Sequence, residues 1–135
     1  MKLNKLRILV VDDQEMIRTA IKLVMESKNI GGVIDEANSG QSAISSLERN
    51  PYDLVLMDIS LRGMSGIETT RIILNRWPST KVLGVSMHTN EDHITEMAEA
   101  GAVGYILKDN LVKDIEKALG AITTGENFFR PLEFN

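Results

Sequence analysis

The stretch Leu54–Asp58, Leu-Val-Leu-Met-Asp, is a run of four apolar residues that ends in a carboxylate. An uninterrupted apolar run of this length predicts a strand buried on both faces, as in a parallel sheet. Because ligands bind at the carboxyl ends of parallel strands, Asp58 is a candidate reactive group. Taken alone, an Asp at the end of a strand more often begins a turn. Whether Asp58 has a functional role therefore depends on which residues lie at the ends of the other strands.

Length and composition limit the classes of protein that the chain can belong to. Its 135 residues, 43% hydrophobic and 25% charged, predict one globular domain with its own core. No apolar run is long enough for a membrane span, and the basic residues 1–7 precede only a short apolar run, so we expect no signal peptide, no membrane partner and a cytoplasmic location. The absence of cysteine excludes thiol nucleophiles and thiolate metal sites. A net charge of -4 without a basic cluster argues against nucleic-acid binding by this chain itself.

Strand and helix patterns alternate along the chain. Residues 6–11, 33–37, 54–58, 81–86 and 104–107 predict five strands, with 33–37 as a polar-interrupted edge strand. The residues that share one face of each predicted helix are Ile17, Ala20, Ile21, Val24; Ala43, Ile44, Leu47; Thr70, Ile73, Leu74, Trp77; Ile94, Met97, Ala98; and Val112, Ile115, Leu119, Ile122. This alternation predicts an α/β fold with a doubly wound, five-stranded parallel sheet, flavodoxin-like, in the strand order 2-1-3-4-5 with five helices. Residues 127–135 show no recognisable pattern.

Polar residues follow the predicted strands at the points where the apolar runs end. Asp12 and Asp13 follow the first strand, Asp58 ends the third, Ser86 ends the fourth and Lys108 follows the fifth. Because the carboxyl ends of parallel strands meet at one edge of the sheet, we expect three carboxylates, a hydroxyl and an ammonium to converge there.

Three neighbouring carboxylates repel one another and need a positive charge or a retained proton. Mg²⁺ is the best candidate because it prefers carboxylate, carbonyl and water oxygens, and the backbone carbonyl of Ser60 could add a ligand. A carboxylate such as Asp58 can also attack phosphorus if cations neutralise the phosphoryl oxygens. Lys108 would supply one such charge, and Ser86 a hydrogen bond to the same oxygens.

Each of these residues also has a common structural explanation. An Asp pair such as Asp12-Asp13 is more often a solvated turn or a helix cap, Ser86 a turn residue, and Lys108 a solvated surface lysine. Tyr105 would otherwise be taken as an ordinary half-buried aromatic. These residues are predicted to meet at one edge of the sheet, and it is this combination that favours a functional interpretation.

The sequence resembles the receiver domain of two-component response regulators over nearly its whole length. The residues that carry the resemblance are Asp12-Asp13, Asp58, Ser86, Tyr105 and Lys108, with 22 positions between Ser86 and Lys108 and three between Tyr105 and Lys108. Residues 85–88, Val-Ser-Met-His, and 104–109, Gly-Tyr-Ile-Leu-Lys-Asp, are similar to the subgroup whose receiver precedes a LuxR-type helix-turn-helix domain.

The resemblance implies a role for each residue of the predicted site. Asp58 would accept a phosphoryl group from a phosphohistidine on a sensor histidine kinase or a phosphotransfer protein. Asp13 would bind Mg²⁺ directly and Asp12 directly or through water, with Asp58 and the Ser60 carbonyl completing the protein ligands. The chain would catalyse only its own phosphorylation and slow dephosphorylation.

A switch and an output are implied by the same resemblance. Ser86 would move toward the phosphoryl group, and Tyr105 would enter the space that Ser86 leaves. The changed surface would control homodimerisation and a transcriptional output domain, and DNA would be bound only through that domain. Residues 1–126 would form the receiver, and 127–135 a tail or the start of a linker to an output domain.

Arg62 and Met87 depart from the family pattern. Arg62 stands where the family usually has proline, so the loop after Asp58 would be less rigid. Met87 occupies a position that is more often a small residue, and its bulk would narrow access to Asp58. His88 is close enough in sequence to Ser86 to line the mouth of the site, where it would tune attack by water on the phosphate.

Three other classes of protein share parts of this pattern. A phosphohydrolase of the haloacid dehalogenase type also uses an Asp at a strand end, but its second Asp is replaced here by Ser60. A flavodoxin-like FMN binder needs a hydroxyl-rich phosphate loop after the first strand, where this chain has two acids. A receiver fold used as a phosphorylation-independent interaction module is the third alternative, and the intact acidic pair, Asp58 and Lys108 argue against it.

Overall fold

Six strands and five α-helices make up the computed structural model, which describes residues 2–87 and 90–129. The strands are β1 (Arg7–Val11), β2 (Val33–Ala37), β3 (Leu54–Asp58), β4 (Lys81–Ser86), β5 (Gly104–Leu107) and β6 (Phe128–Phe129). The helices are α1 (Glu15–Ser27), α2 (Gly40–Arg49), α3 (Gly66–Arg76), α4 (Glu91–Glu99) and α5 (Leu111–Thr123). Short 3-10 helices lie at Leu3–Lys5 and Lys108–Asn110.

All described strands pair in parallel, in the order β2-β1-β3-β4-β5-β6. The predicted doubly wound α/β fold, the five helices and the order 2-1-3-4-5 are therefore confirmed, with β2 as the half-exposed edge strand. The predicted number of five strands was wrong, because Phe128–Phe129 adds a sixth strand beside β5. The change of direction in strand order between β2-β1 and β1-β3 puts helices on both faces of the sheet.

Two separate cores lie on the two faces of the sheet, because successive side chains of a strand point to opposite faces. In β3, Leu54 and Leu56 pack with the buried side of α1 and α5. Val55 and Met57 face the other way and pack with α2, α3 and α4. Burial on both sides is why β3 is an unbroken apolar run, and why its terminal Asp58 is held on a rigid support.

The sixth strand was missed for a physical reason. Two residues are too short to show the alternation by which a strand is recognised. The pairing also depends on Gly104, since a Cβ atom there would lie 2.5 Å from the Phe128 carbonyl oxygen. Phe128 is buried in the core that includes Ile106 and Ile115, and its backbone N–H donates to the Val103 carbonyl oxygen at 2.9 Å. The boundary at residue 126 stays a prediction, although residues beyond it pair with the sheet.

Three residues assigned to apolar helix faces are exposed instead: Ala20, Ala98 and Val112. Each lies at the border of its helix's apolar stripe, where spacing alone does not say which neighbour reaches the core. In α1 the fully buried residue is Met25 rather than Ala20. Among the described residues, no helix is long and apolar enough to cross a membrane.

We expect Phe128→Ala to lower the free energy of unfolding by about 3 kcal/mol, because it removes a buried aromatic ring and leaves a cavity beside β5. Urea unfolding followed by circular dichroism measures the change. Leu23→Ala, at an exposed position of α1, is the control and should change stability by less than about 0.5 kcal/mol. Equal effects of the two substitutions would show that β6 adds nothing to the core.

Candidate functional site

Three carboxylates converge at the carboxyl edge of the sheet, as predicted. Asp12 follows β1 directly, Asp13 is next to it, and Asp58 is the last residue of β3. An oxygen from each carboxylate lies within 4.8 Å of the other two. Residues far apart in the sequence meet here because β1 and β3 are neighbours, with Val11 opposite Met57.

Lys108 joins the carboxylates as a buried cation. It begins the 3-10 helix Lys108–Asn110 directly after β5, and only 11% of its side chain is exposed. Its Nζ atom lies 2.7 Å from Asp12 Oδ2 and 3.5 Å from Asp58 Oδ1. One ammonium thus bridges the ends of β1 and β3, which is the position that the sequence predicted for it.

Local backbone hydrogen bonds orient the carboxylates. The Gln14 N–H donates to Asp12 Oδ1 at 2.9 Å, and the Ser60 N–H donates to Asp58 Oδ1 at 3.2 Å. The Asp12 carbonyl oxygen accepts from Arg18 Nη1 at 2.7 Å, which fixes the turn between β1 and α1. These bonds leave the remaining carboxylate oxygens directed toward the shared space.

The pKa of Asp58 is raised above its ordinary value. Burial is the main cause, and the negative charge of Asp12 adds to it. Lys108 and the Ser60 N–H act in the opposite direction without cancelling the rise. Three carboxylates surround the one ammonium of Lys108, so the cluster keeps a net negative charge that a further cation would reduce.

The donor set suits a hard divalent cation. Asp12 Oδ2 is buried and ion-paired to Lys108, but it receives no directed hydrogen bond in the described structure. Three convergent carboxylate oxygens are the ligands that such a cation prefers. A metal ion could thus bind here without any rearrangement of the strands that carry the ligands.

A cavity of about 130 Å³ opens at this cluster. It is lined by Asp13, Gln14, Asp58, Ser60, Met87 and Lys108. A second cavity, of about 150 Å³, lies at the amino-terminal ends of β3 and β4, beside α5. None of the three clustered acids lines it. Charge and ligand chemistry, rather than cavity size, single out the first cavity as the candidate site.

Ser86 and Tyr105 lie together inside the protein, close enough to Asp58 for its charge to act on Tyr105. Ser86 ends β4, Tyr105 lies on the adjacent β5, and both are fully buried. Burial raises the pKa of Tyr105, and its hydrogen bond with the Ser86 side chain opposes the rise. The tyrosine ring is fully buried, so the alternative description of Tyr105 as an ordinary half-buried aromatic is wrong.

The residues at the mouth of the cavity differ in how well the sequence predicted them. Met87 is exposed and lines the entrance, as expected from its position next to Ser86. His88 lies outside the described residues, so its proposed tuning role stays a prediction. Arg62 lies with its Nε atom 3.7 Å from Asp13 Oδ2, a contact that the sequence analysis did not predict.

Gly66 is a further residue that sequence reasoning missed. It is the first residue of α3 and its N–H donates to the Ile59 carbonyl oxygen at 3.1 Å. A Cβ atom at this position would overlap the carbonyl oxygen of Asp58. The start of α3 therefore packs directly on the backbone of Asp58. A glycine eight residues after a strand-terminal acid was the only signal in the sequence.

Residues 8–120 match the response regulator receiver domain, and the chain belongs to this family. It is 30% identical over 128 residues to the transcriptional regulatory protein DegU of Brevibacillus brevis, covering 95% of this chain and 54% of DegU. It is 33% identical over 130 residues to the transcriptional regulatory protein YxjL of Bacillus subtilis (strain 168), covering 96% of this chain and 60% of YxjL. The chain thus spans slightly more than half the length of these relatives.

A solved structure supports the same assignment. The LuxR-family two-component response regulator from Aurantimonas sp. SI85-9A1 superimposes with a TM-score of 0.87 at 30% identity, covering 94% of this chain and 91% of that one. The predicted resemblance to receivers of LuxR-type regulators is confirmed. Because the chain belongs to the receiver family, the phosphohydrolase and FMN-binder alternatives are rejected.

We expect Gly66→Ala to lower the free energy of unfolding by about 1–3 kcal/mol, because the added methyl group collides with the Asp58 backbone. The matched control is Gly120→Ala in α5, where an added Cβ meets no atom within 4 Å. This control should gain about 0.5–1 kcal/mol from helix propensity. Urea unfolding of both variants tests the contrast, and stabilisation by both would show that α3 does not press on Asp58.

Asp58→Asn should raise the free energy of unfolding at neutral pH, without divalent cations, by on the order of 1 kcal/mol, because it removes a like charge from the cluster. In the wild type, the raised pKa of Asp58 means that the folded protein holds this proton more tightly than the unfolded chain. The contribution of Asp58 to stability therefore falls as pH rises from its ordinary pKa through the raised one. Asp58→Asn should remove this pH dependence.

Urea unfolding over a pH series measures both effects. Glu96→Gln, which changes the net charge equally at an exposed position of α4, is the control. An Asp58→Asn protein no more stable than Glu96→Gln would contradict the inferred charge repulsion.

Proposed function

We propose that Asp58 is the phosphoacceptor of this receiver and that it takes its phosphoryl group from a phosphohistidine on a sensor histidine kinase or a phosphotransfer protein. The observation that carries the proposal is the buried bridge from Lys108 to both Asp12 and Asp58 within a cluster of three carboxylates. Turns and helix caps do not need a buried lysine between two strand ends. A phosphoryl-transfer site does, because charge develops on the transferred oxygens.

In the proposed reaction an Asp58 carboxylate oxygen attacks phosphorus, a P–O bond forms, and the P–N bond to the donor histidine breaks. The imidazole leaves and takes up a proton. Asp58 must be ionised to act, and Lys108 favours that form by opposing the rise of its pKa. Lys108 Nζ, 3.5 Å from Asp58 Oδ1, is also close enough to donate a hydrogen bond to a phosphoryl oxygen afterwards.

We propose Mg²⁺ as the metal, held by Asp12, Asp13 and Asp58 and by the backbone carbonyl of Ser60. When bound, Mg²⁺ would neutralise negative charge on the carboxylates and on the transferred group. The support is the three-carboxylate donor set, the buried Asp12 Oδ2 without a directed hydrogen bond, and the presence of Ser60 in the lining of the same cavity.

Ser86 and Tyr105 are proposed to convert phosphorylation into a change of surface. A bond from the Ser86 hydroxyl to a phosphoryl oxygen would compete with its bond to Tyr105. Phosphorylation would therefore shift the population between two arrangements of these side chains rather than create a new one. Tyr105 is already buried, so the expected move of its ring into the space beside Ser86 would be a small repacking.

The output of the whole protein is proposed from its relatives. DegU and YxjL are transcriptional regulatory proteins that extend well beyond the matched region. We propose that residues 127–135 lead into a linker, that an output domain beyond this chain binds DNA, and that phosphorylation promotes a homodimer. The expected cytoplasmic location also stays a prediction.

With acetyl phosphate and Mg²⁺, the protein should gain the mass of one phosphoryl group, read by mass spectrometry of the intact protein. Asp58→Asn should gain none, and Asp13→Asn or Lys108→Gln should slow the gain by at least about 10²-fold, a typical loss when one stabilising group is removed. Asp53→Asn, at the start of β3, is a control for Asp substitutions because it lies at the other edge of the sheet. Phosphorylation of Asp58→Asn at the wild-type rate would show that another residue is the acceptor.

A further inference from the structure

The loop after Asp58 presents one arginine toward the acidic cluster. In this loop Leu61 is buried in the core beside α3, whereas the next residue, Arg62, has 93% of its side chain exposed. Gly63 follows with φ of +76°, a conformation that suits glycine and turns the chain sharply. The anchored Leu61 and the turn at Gly63 flank Arg62, whose Nε atom lies 3.7 Å from Oδ2 of Asp13, a lining residue of the cavity.

The two cations of the site differ in how firmly they are held. Lys108 is buried and pairs with Asp12 and Asp58. Arg62 pairs with Asp13, which is the most accessible of the three acids, at 18% side-chain exposure against 1% for Asp12. An exposed pair is weak and easily exchanged, whereas a buried one is not. A cation that binds Asp13 therefore has to compete with the Arg62 guanidinium for the same carboxylate.

We propose that Arg62 is a specificity-determining residue that competes with the divalent cation for Asp13 and, once displaced, attracts the anionic phosphodonor to the cavity mouth. The inference rests on the proposed function of the site. The positive charge of the guanidinium makes the electrostatic potential at Asp13 less negative, which weakens the attraction of a metal ion. The same charge strengthens the attraction of a phosphate group. A proline, the residue expected here from the family pattern, would supply neither effect.

The size of the effect follows from the exposure of the pair. An exposed ion pair changes a binding constant by about 1.5- to 5-fold at low salt. The Debye length falls from about 30 Å at 0.01 M ionic strength to about 3 Å at 1 M, so the effect of Arg62 should fade over this range. A contact that acted by shape alone would not respond to salt in this way.

The first test is direct Mg²⁺ binding, measured by calorimetry on the unphosphorylated protein at low ionic strength. We expect Arg62→Gln to bind Mg²⁺ about 1.5- to 5-fold more tightly than wild type. Arg62→Lys keeps the charge and should resemble wild type. Arg71→Gln, at an exposed position of α3, makes the same change in net charge away from the site and should have no effect.

The second test is the rate of phosphorylation by acetyl phosphate at saturating Mg²⁺. Arg62→Gln should raise the acetyl phosphate concentration that gives half the maximal rate of phosphorylation by about 1.5- to 5-fold, with the maximal first-order rate constant unchanged, and the difference should disappear near 1 M salt. A variant that changes the maximal rate constant instead would show that Arg62 acts on the chemical step and would overturn the proposal.

The outcomes separate this inference from the function on which it rests. Equal Mg²⁺ affinities of Arg62→Gln and Arg71→Gln, in proteins that still phosphorylate on Asp58, would overturn the role of Arg62 alone. A wild-type protein that binds no Mg²⁺ by calorimetry would overturn the proposed metal site and the Arg62 inference together.

Discussion

The mutual repulsion of three carboxylates is the constraint on which the arrangement of the site depends. Asp12, Asp13 and Asp58 approach within 4.8 Å of one another at the end of a sheet whose interior excludes water. The ammonium of Lys108 makes this approach possible, yet burial and the charge of Asp12 still raise the pKa of Asp58. The fold therefore holds a group of charges that would separate if the chain were free to relax. Such stored repulsion suits a site that must attract cations.

The parallel sheet supplies the rigidity that this arrangement needs. β1 and β3 are buried on both faces and pair from Ile8–Leu54 to Val11–Met57, so the acids at their ends cannot move apart without loss of core packing. The start of α3 presses on the Asp58 backbone at Gly66 and fixes the strand end from the other side. The site is thus stiff where the ligands are held and open only at its mouth.

Most of the fold and of the buried site could be predicted because burial leaves a strong pattern in the sequence. Double-sided burial made β3 an unbroken apolar run, and a parallel arrangement then required Asp58 and Lys108 to meet. β6 could not be predicted, because a two-residue strand has no period and depends on the close approach of Gly104. The contact between Arg62 and Asp13 could not be predicted either, because no sequence pattern indicates which residue an exposed loop arginine contacts.

The sixth strand also changes how the protein is protected against self-association. An unpaired strand edge can recruit strands from other molecules, and β6, which pairs with the first two residues of β5, makes the outer strand on this side of the described sheet only two residues long. Among the described strands the other outer edge is β2, which carries Asp35 and Glu36 in place of an apolar run, and Glu36 is paired with Arg18 at 2.8 Å. One described edge is therefore only two residues long and the other carries charge, and both features disfavour fibre-like stacking of the sheet.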